Sequence, residues 1–328
     1  MLGQFYRPIF FHVLALAAAV VVTPTAAVAQ SNYPSRTIKI IVPLSAGGVA
    51  DIVPRLVAEK LAARWGQPVV IENRTGAGQI IGAEAVAKAE PDGYTLLATP
   101  PGPLVTNQLL YAKLPYDPGA FVPITIMTTG HLGLIVNPKV PAANLRELVA
   151  YAKANPGKLT YASSGAGSPP HLTGEMLQTA AGIQVTHVPY KGLAPAVTDL
   201  LAGHVDMMFD NLGNSLPYIR SGKLRVLGVA GDTRIAELPD VQAIAETYPG
   251  FDSRSWFALV APPNTPPAIA AKLSQAVAEI LRQPDMVARL HDLSFTPVGI
   301  SPAETAAYIK REAAHWRDAI GSTLIKSQ

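Results

Sequence analysis

The chain has 328 residues, enough for roughly two domains and a sizeable buried core. It is 49% hydrophobic and only 15% charged, which excludes disorder. The net charge of +3 comes from scattered Lys and Arg with no run of three, so nothing marks a nucleic-acid surface; the absence of cysteine excludes disulfides, thiolate catalysis and cysteine-held zinc or iron–sulfur sites.

In chain order, the first segment reads as an export signal. Arg7 supplies a positive start, residues 8–22 form an apolar run broken only by His12, and Ala27-Val28-Ala29 is a small-residue cleavage pattern, with cleavage expected after Ala29. The apolar stretch is short for a membrane span of about 20 residues. Residues 1–29 are therefore expected to be removed, leaving a soluble protein in the periplasm.

Residues 37–44, apolar and β-branched, predict a strand. Asp51 then opens a helix with Ile52, Val53, Leu56, Val57, Leu61 and Trp65 near a 3.6-residue period, Pro54 in its first turn and Gly66 as its stop. A strand at 69–72, a glycine turn, a helix over 80–89 and a strand at 94–99 follow, then Pro100-Pro101-Gly102 leading into a helix. Residues 121–138 read as two apolar stretches broken by Gly130. Asn144 with Glu147 forms a capping box for a helix to Ala154. A strand at 159–164 precedes Ser168-Pro169-Pro170, read as an N-cap with first-turn prolines opening a helix to Ala181. Residues 185–189, 205–209, 224–229 and 256–260 read as strands, and 266–281 and 302–320 as amphipathic helices. This alternation predicts α/β layers with mostly parallel sheet. No flexible linker divides the chain, so two domains would be interleaved.

Several strand exits carry glycine- and hydroxyl-rich turns that open helices. Helix N-termini carry free N–H groups and a partial positive charge, and glycine allows close approach of an anion. The candidate binding residues are therefore Leu44-Ser45-Ala46-Gly47-Gly48-Val49-Ala50-Asp51, Thr99 at the next strand's end, and Ser163-Ser164-Gly165-Ala166-Gly167-Ser168. His171 is either a structural contact to the adjacent loop or a ligand contact, Asp210 either a ligand or hinge contact or a helix cap, and Tyr190 either core or pocket wall; Trp256 is assigned to the core. Gly76-Ala77-Gly78 with Gly82 departs from a dinucleotide fingerprint, no Walker motif or G-x-S-x-G is present, and no histidine pair has metal spacing. No cofactor and no metal are expected, and no catalytic residue is assigned.

The ordered set Tyr33-Pro34-Ser35-Arg36, Pro43…Gly47-Gly48…Asp51, Gly66-Gln67-Pro68-Val69-Val70, Glu72-Asn73-Arg74, Gly76-Ala77-Gly78, Pro91-Asp92-Gly93-Tyr94, Leu114-Pro115-Tyr116-Asp117, Pro156-Gly157-Lys158-Leu159, His187-Val188-Pro189-Tyr190-Lys191-Gly192 and Asp206-Met207-Met208-Phe209-Asp210-Asn211 resembles the Bug family of extracytoplasmic receptors of tripartite tricarboxylate transporters. The resemblance implies a type II periplasmic-binding-protein fold, with lobe 1 over 30–128 and 231–328, lobe 2 over 129–230, and hinges near 128–131 and 228–232. It implies a monomer that captures a small carboxylate in the interlobe cleft by domain closure. The partner would be the membrane transporter subunits, or alternatively a sensor kinase. Leu44, Ala50, Gln79 and Pro100-Pro101 depart from the family's usual residues and remove side-chain donors, which points to a less polar ligand with one carboxylate and an apolar or aromatic body.

Overall fold

The structure, a computed structural model, describes residues 33–321. The export signal expected over 1–29 lies outside the described residues. Among those described, no helix is long and apolar enough to cross a membrane.

The first strand, β1 (Ile38–Val42), is followed by α1 (Val49–Trp65), β2 (Val69–Asn73), α2 (Ile80–Ala87) and β3 (Thr95–Thr99). A π-helical turn, Gly102–Thr106, runs into one short helical turn, Asn107–Leu110. The 15-residue strand β4 (Val122–Val136) leads to α3 (Leu145–Ala154), β5 (Thr160–Ser163), α4 (Pro169–Ala181), β6 (Thr186–Pro189), α5 (Leu193–Ala202), β7 (Met207–Asn211), α6 (Leu212–Arg220) and β8 (Arg225–Ala230). The chain ends with β9 (Arg254–Ala261), α7 (Pro267–Leu281), α8 (Pro284–Asp292), β10 (Phe295–Pro297) and α9 (Pro302–Gly321).

The strands form one sheet in the order β2-β1-β3-β9-β4-β7-β5-β6, with β8 and β10 also pairing β4. β1 is parallel to β2 and β3, and β5 to β6 and β7. The sheet is more mixed than the alternating pattern predicts, because β4 and β9 run against their neighbours in five antiparallel ladders. β4 is the shared strand. Its first ten residues, Val122 to His131, pair with β9, and Leu132 to Val136 pair with β7 and β8.

The core follows the period-2 alternation of strand side chains. In the second half of β4, Leu132, Leu134 and Val136 enter one cluster with Leu148, Tyr161 and Phe209, and Ile135 enters another with Ala162, Leu200 and Met208. A third cluster gathers Ile41, Leu97, Ile126, Trp256, Val260 and Trp316 around the first half of β4 and β9.

Two helix starts differ from the sequence reading. α1 begins at Val49, two residues before Asp51, because extended Gly48 serves as its N-cap and its carbonyl already accepts from Asp51 and Ile52. Pro54 therefore sits in the second turn. Ser168 precedes α4 as expected, but makes no side-chain cap. A capping oxygen accepts from the second or third N–H of a helix; the second residue here is Pro170, which has none. Ser168 Oγ donates instead to Gly165 O (2.6 Å). At α3, Asn144 Oδ1 accepts from Glu147 N at 3.0 Å while Glu147 accepts from Ala143 N at 2.7 Å, a reciprocal cap.

Candidate functional site

A cavity lies at the carboxyl ends of the parallel strands, where open α/β sheets bind ligands. Leu44, Ser45, Gly48, Val49 and Ala50 reach it from the turn after β1, and Pro100 from the exit of β3. Ser164, Pro169 and Pro170 come from beyond β5, Gly192 and Leu193 from beyond β6, and Asn211 and Asn214 from β7 and α6. Ser255 and Phe257 of β9 close it. It encloses about 380 Å³, open mouth included.

The turn after β1 is held by a buried carboxylate. Asp51 accepts from Gly47 N (3.1 Å), Arg55 Nε (2.9 Å) and Asn73 Nδ2 (2.9 Å), and the same Asn73 amide donates to Leu44 O (2.9 Å). Burial pushes the Asp51 carboxyl up, but the bonds from Arg55, Asn73 and Gly47 outweigh it and leave it below the usual carboxylate range. Asp51→Ala strands those donors, and each unsatisfied buried group costs about 1–3 kcal/mol. The variant is expected to lose roughly that much stability by urea titration and to bind ligand more weakly as the turn loosens.

This anchoring leaves particular groups for a ligand. Ser45 N donates across to Lys191 O (2.9 Å), and Val49 N to Asn214 Oδ1 (3.1 Å). The N–H groups of Gly48 and Ala50 have no acceptor among the described residues. Ser45 Oγ and Asn211 Oδ1 are buried and also lack a protein partner. Buried polar atoms are nearly always bonded; the two N–H groups at the helix N-terminus and the Ser45 hydroxyl can donate to a small anion, whereas Asn211 Oδ1 can only accept, from a donor group on a ligand.

The second turn is closed upon itself. Gly165 N donates to Ser163 Oγ (3.1 Å), Gly167 N to His171 Nδ1 (3.1 Å), and Thr106 Oγ1 to Gly167 O (2.6 Å). His171 thus supplies a structural contact to the loop before it. Behind the turn, the His171 and His187 rings stack at 4.1 Å, Tyr161 stacks on His187 at 4.8 Å, and His187 Nε2 bonds Ser163 Oγ at 2.7 Å. Tyr161 Oη donates to Glu175 Oε1. Burial lowers His171 to about 4; burial, then the neighbouring His171, lowers His187 to about 3. In the unfolded chain both take a proton near pH 6.5, whereas the folded chain refuses it until about pH 4 and 3. Stability contributed by the pair is therefore whole above about pH 6.5 and is lost as pH falls toward 3. His187→Asn is expected to show a shallower acid-side decline of the urea midpoint than the parent protein.

Of the residues singled out from sequence, Leu44, Ser45, Gly48, Val49, Ala50 and Ser164 meet at the cavity. Ala46, Gly47 and Asp51 shape the first turn, and Ser163, Gly165, Ala166, Gly167, Ser168 and His171 the second, without lining the wall. Thr99 is buried and donates to Pro100 O (3.0 Å). Tyr190 Oη donates to Asp199 Oδ2 (2.6 Å), away from the wall. Asp210 is wholly buried beneath it, accepting from Asn214 Nδ2 (2.8 Å) and Ser215 Oγ. Burial raises its carboxyl to about 7 against the pull of those bonds. It orients Asn214, whose oxygen holds the first N–H of α1.

Sequence reading did not place Pro100, Pro169, Pro170, Gly192, Leu193, Asn211, Asn214, Ser255 or Phe257 among the candidate binding residues. Two of them had a usable signal: Ser255 and Phe257 flank Trp256 in a strand, so a core assignment for Trp256 turns both neighbours to the opposite face. Among the described residues, no group of three or more His, Asp or Glu side chains is placed to hold a metal.

The mixed sheet with its strand-exit cavity is a type II periplasmic-binding-protein fold. A family model described as the tripartite tricarboxylate transporter family receptor matches residues 53–324, and the chain belongs to that family. It is 38% identical over 301 residues to Protein BugT of Bordetella pertussis, covering 91% of this chain and 92% of that one. Among solved structures, an R. palustris protein with adipate matches with a TM-score of 0.86 at 35% identity, covering 88% of this chain and 98% of that one. MatC from Rhodopseudomonas palustris with bound malate matches at 0.84 and 34%, covering 88% and 100%. The periplasmic binding protein BugD matches at 0.84 and 34%, covering 89% and 99%.

Proposed function

We propose that this protein is a periplasmic solute receptor that captures a small carboxylate and delivers it to the membrane subunits of a tripartite tricarboxylate-type transporter. The observation that carries the reading is the convergence of two free N–H groups at the start of α1 with the unpartnered Ser45 hydroxyl at one cavity. Relatives solved with adipate and malate support the carboxylate class. A binding role is supported by the family and by its solved relatives, which are substrate-binding proteins.

In this reading residues 1–29 direct export and are cleaved after Ala29. Residues 30–128 with 231–328 form one lobe and 129–230 the other, joined near 128–131 and 228–232. Closure contributes affinity only through contacts made to both lobes. The bonds from Ser45 N to Lys191 O and from Val49 N to Asn214 Oδ1 link residues of the two proposed lobes beside the cavity. The test is thermal unfolding of residues 30–328 against a panel of carboxylates. Ligand at about 100 times its dissociation constant stabilises by about 2.7 kcal/mol, a rise of several degrees. A rise with one carboxylate class is expected; no rise with any carboxylate, in protein refolded free of carried-over ligand, contradicts the reading.

A further inference from the structure

β7 ends at the cavity on Asn211, which is also the N-cap of α6. Asparagine is among the strongest N-cap residues because its Oδ1 accepts from the second or third N–H of the helix. Those positions in α6 are Gly213 and Asn214, and both have an N–H to give, unlike Pro170 of α4. Yet Asn211 makes no side-chain cap. It lines the cavity instead, only 4% exposed, and its Oδ1 has no partner among the described residues. A buried acceptor left without a donor is costly. A ligand that brings an O–H or N–H to this atom therefore binds more tightly than one that does not.

We infer that the ligand is a hydroxy acid whose hydroxyl, beside the carboxylate, donates to Asn211 Oδ1 while the carboxylate takes the N–H groups of Gly48 and Ala50. This deepens the proposed function and rests on it. The spacing fits. Asn214 Oδ1 accepts from Val49 N (3.1 Å), so α6 touches α1 between those two N–H groups. Asn211 lies three residues before Asn214, about 4.5 Å along the helix axis, which keeps the acceptor near the carboxylate end. The ammonium of an amino acid is also a donor, but no Asp or Glu lines the wall to accompany a buried cation. Asp210, beneath the wall, is occupied by Asn214 and Ser215. A hydroxyl is neutral and needs one acceptor, which Asn211 supplies.

The test is calorimetric titration of residues 30–328 with three sets of acids that differ only at carbon 2: lactate, propionate and pyruvate; 2-hydroxyglutarate, glutarate and 2-oxoglutarate; mandelate, phenylacetate and phenylglyoxylate. Alanine is added beside lactate. In every set that binds, the better enantiomer of the hydroxy acid is expected to bind about tenfold or more tightly than the other two acids. The keto acid separates the two ends of the carboxamide, because Nδ2 can donate to a keto oxygen and Oδ1 cannot. An unsubstituted or keto acid that matches the hydroxy acid, or alanine that binds more tightly than lactate, overturns this inference and leaves the receptor reading in place. No binding by any of these acids overturns both. Asn211→Leu removes the acceptor at similar volume and is expected to bring the hydroxy preference below about twofold, with Asn211→Ala as a second variant that also lacks the acceptor. A preference kept in either folded variant overturns the role of Asn211.

Discussion

Gly192→Val is expected to reduce ligand affinity on the order of 100-fold, about 2.7 kcal/mol, while the protein stays folded. Gly192 sits at φ 144°, a conformation that L side chains rarely adopt, and its Cα faces the turn after β1. A Cβ there would overlap Ser45 Oγ and stand 3.2 Å from Ser45 N. The valine methyl groups add to that overlap. The Ser45 N to Lys191 O bond breaks, the turn withdraws, and the α1 N–H groups no longer face the opposite wall. Calorimetric affinity together with circular dichroism checks the outcome. Gly222→Asn is the control: its φ of 70° is one that asparagine tolerates, a Cβ there meets nothing within 4 Å, and its affinity should match that of the parent protein.

Trp256→Ala carries the largest expected loss of stability. The indole is fully buried in central strand β9, packs edge-on against Tyr308 at 5.6 Å, and donates Nε1–H to Glu312 Oε2 at 2.8 Å. Truncating a buried tryptophan costs about 3–5 kcal/mol through lost burial and the cavity left behind, and Glu312 loses its donor as well. In a chain of this length the melting temperature should fall by about 10 °C. Because Ser255 and Phe257 flank this residue and line the cavity, the variant should also weaken binding, measured below its lowered melting temperature.

Local patterning made much of the frame legible. The β-branched run at β1, the 3.6-residue period of α1, the Gly66 stop and the Asn144 cap each have a local cause, and each stands within two residues of its expected place. What escaped depends on distant partners. Gly130 reads as a break between two strands, yet β4 passes through it unbroken, because the Phe295 ring of β10 lies where a Cβ would stand. That contact joins residues 165 positions apart. α8 and the three-residue β10 were not anticipated: α8 is short, and β10 ends in a proline and is defined by its pairing with β4.

The candidate site divides the same way. The anion end was readable because a glycine-rich turn at a strand exit is a local motif with a local electrostatic consequence. The opposite wall was not, since Gly192, Asn214, Ser255 and Phe257 reach it from the exit of β6, from α6 and from β9. Asp51 shows how residue type can mislead: a carboxylate beside the anion end is there to hold the turn, and its oxygens are already taken by Gly47, Arg55 and Asn73.

The central claim is that a carboxylate is received at the start of α1. The most direct measurement follows the backbone amide resonances of Gly48 and Ala50 during titration of isotope-labelled residues 30–328 with a carboxylate already shown to bind by calorimetry. Both resonances should shift in a saturable way with the calorimetric dissociation constant, and the shifts should vanish in Gly192→Val. Saturation by calorimetry while both amides stay in place, with shifts confined elsewhere, would contradict the account.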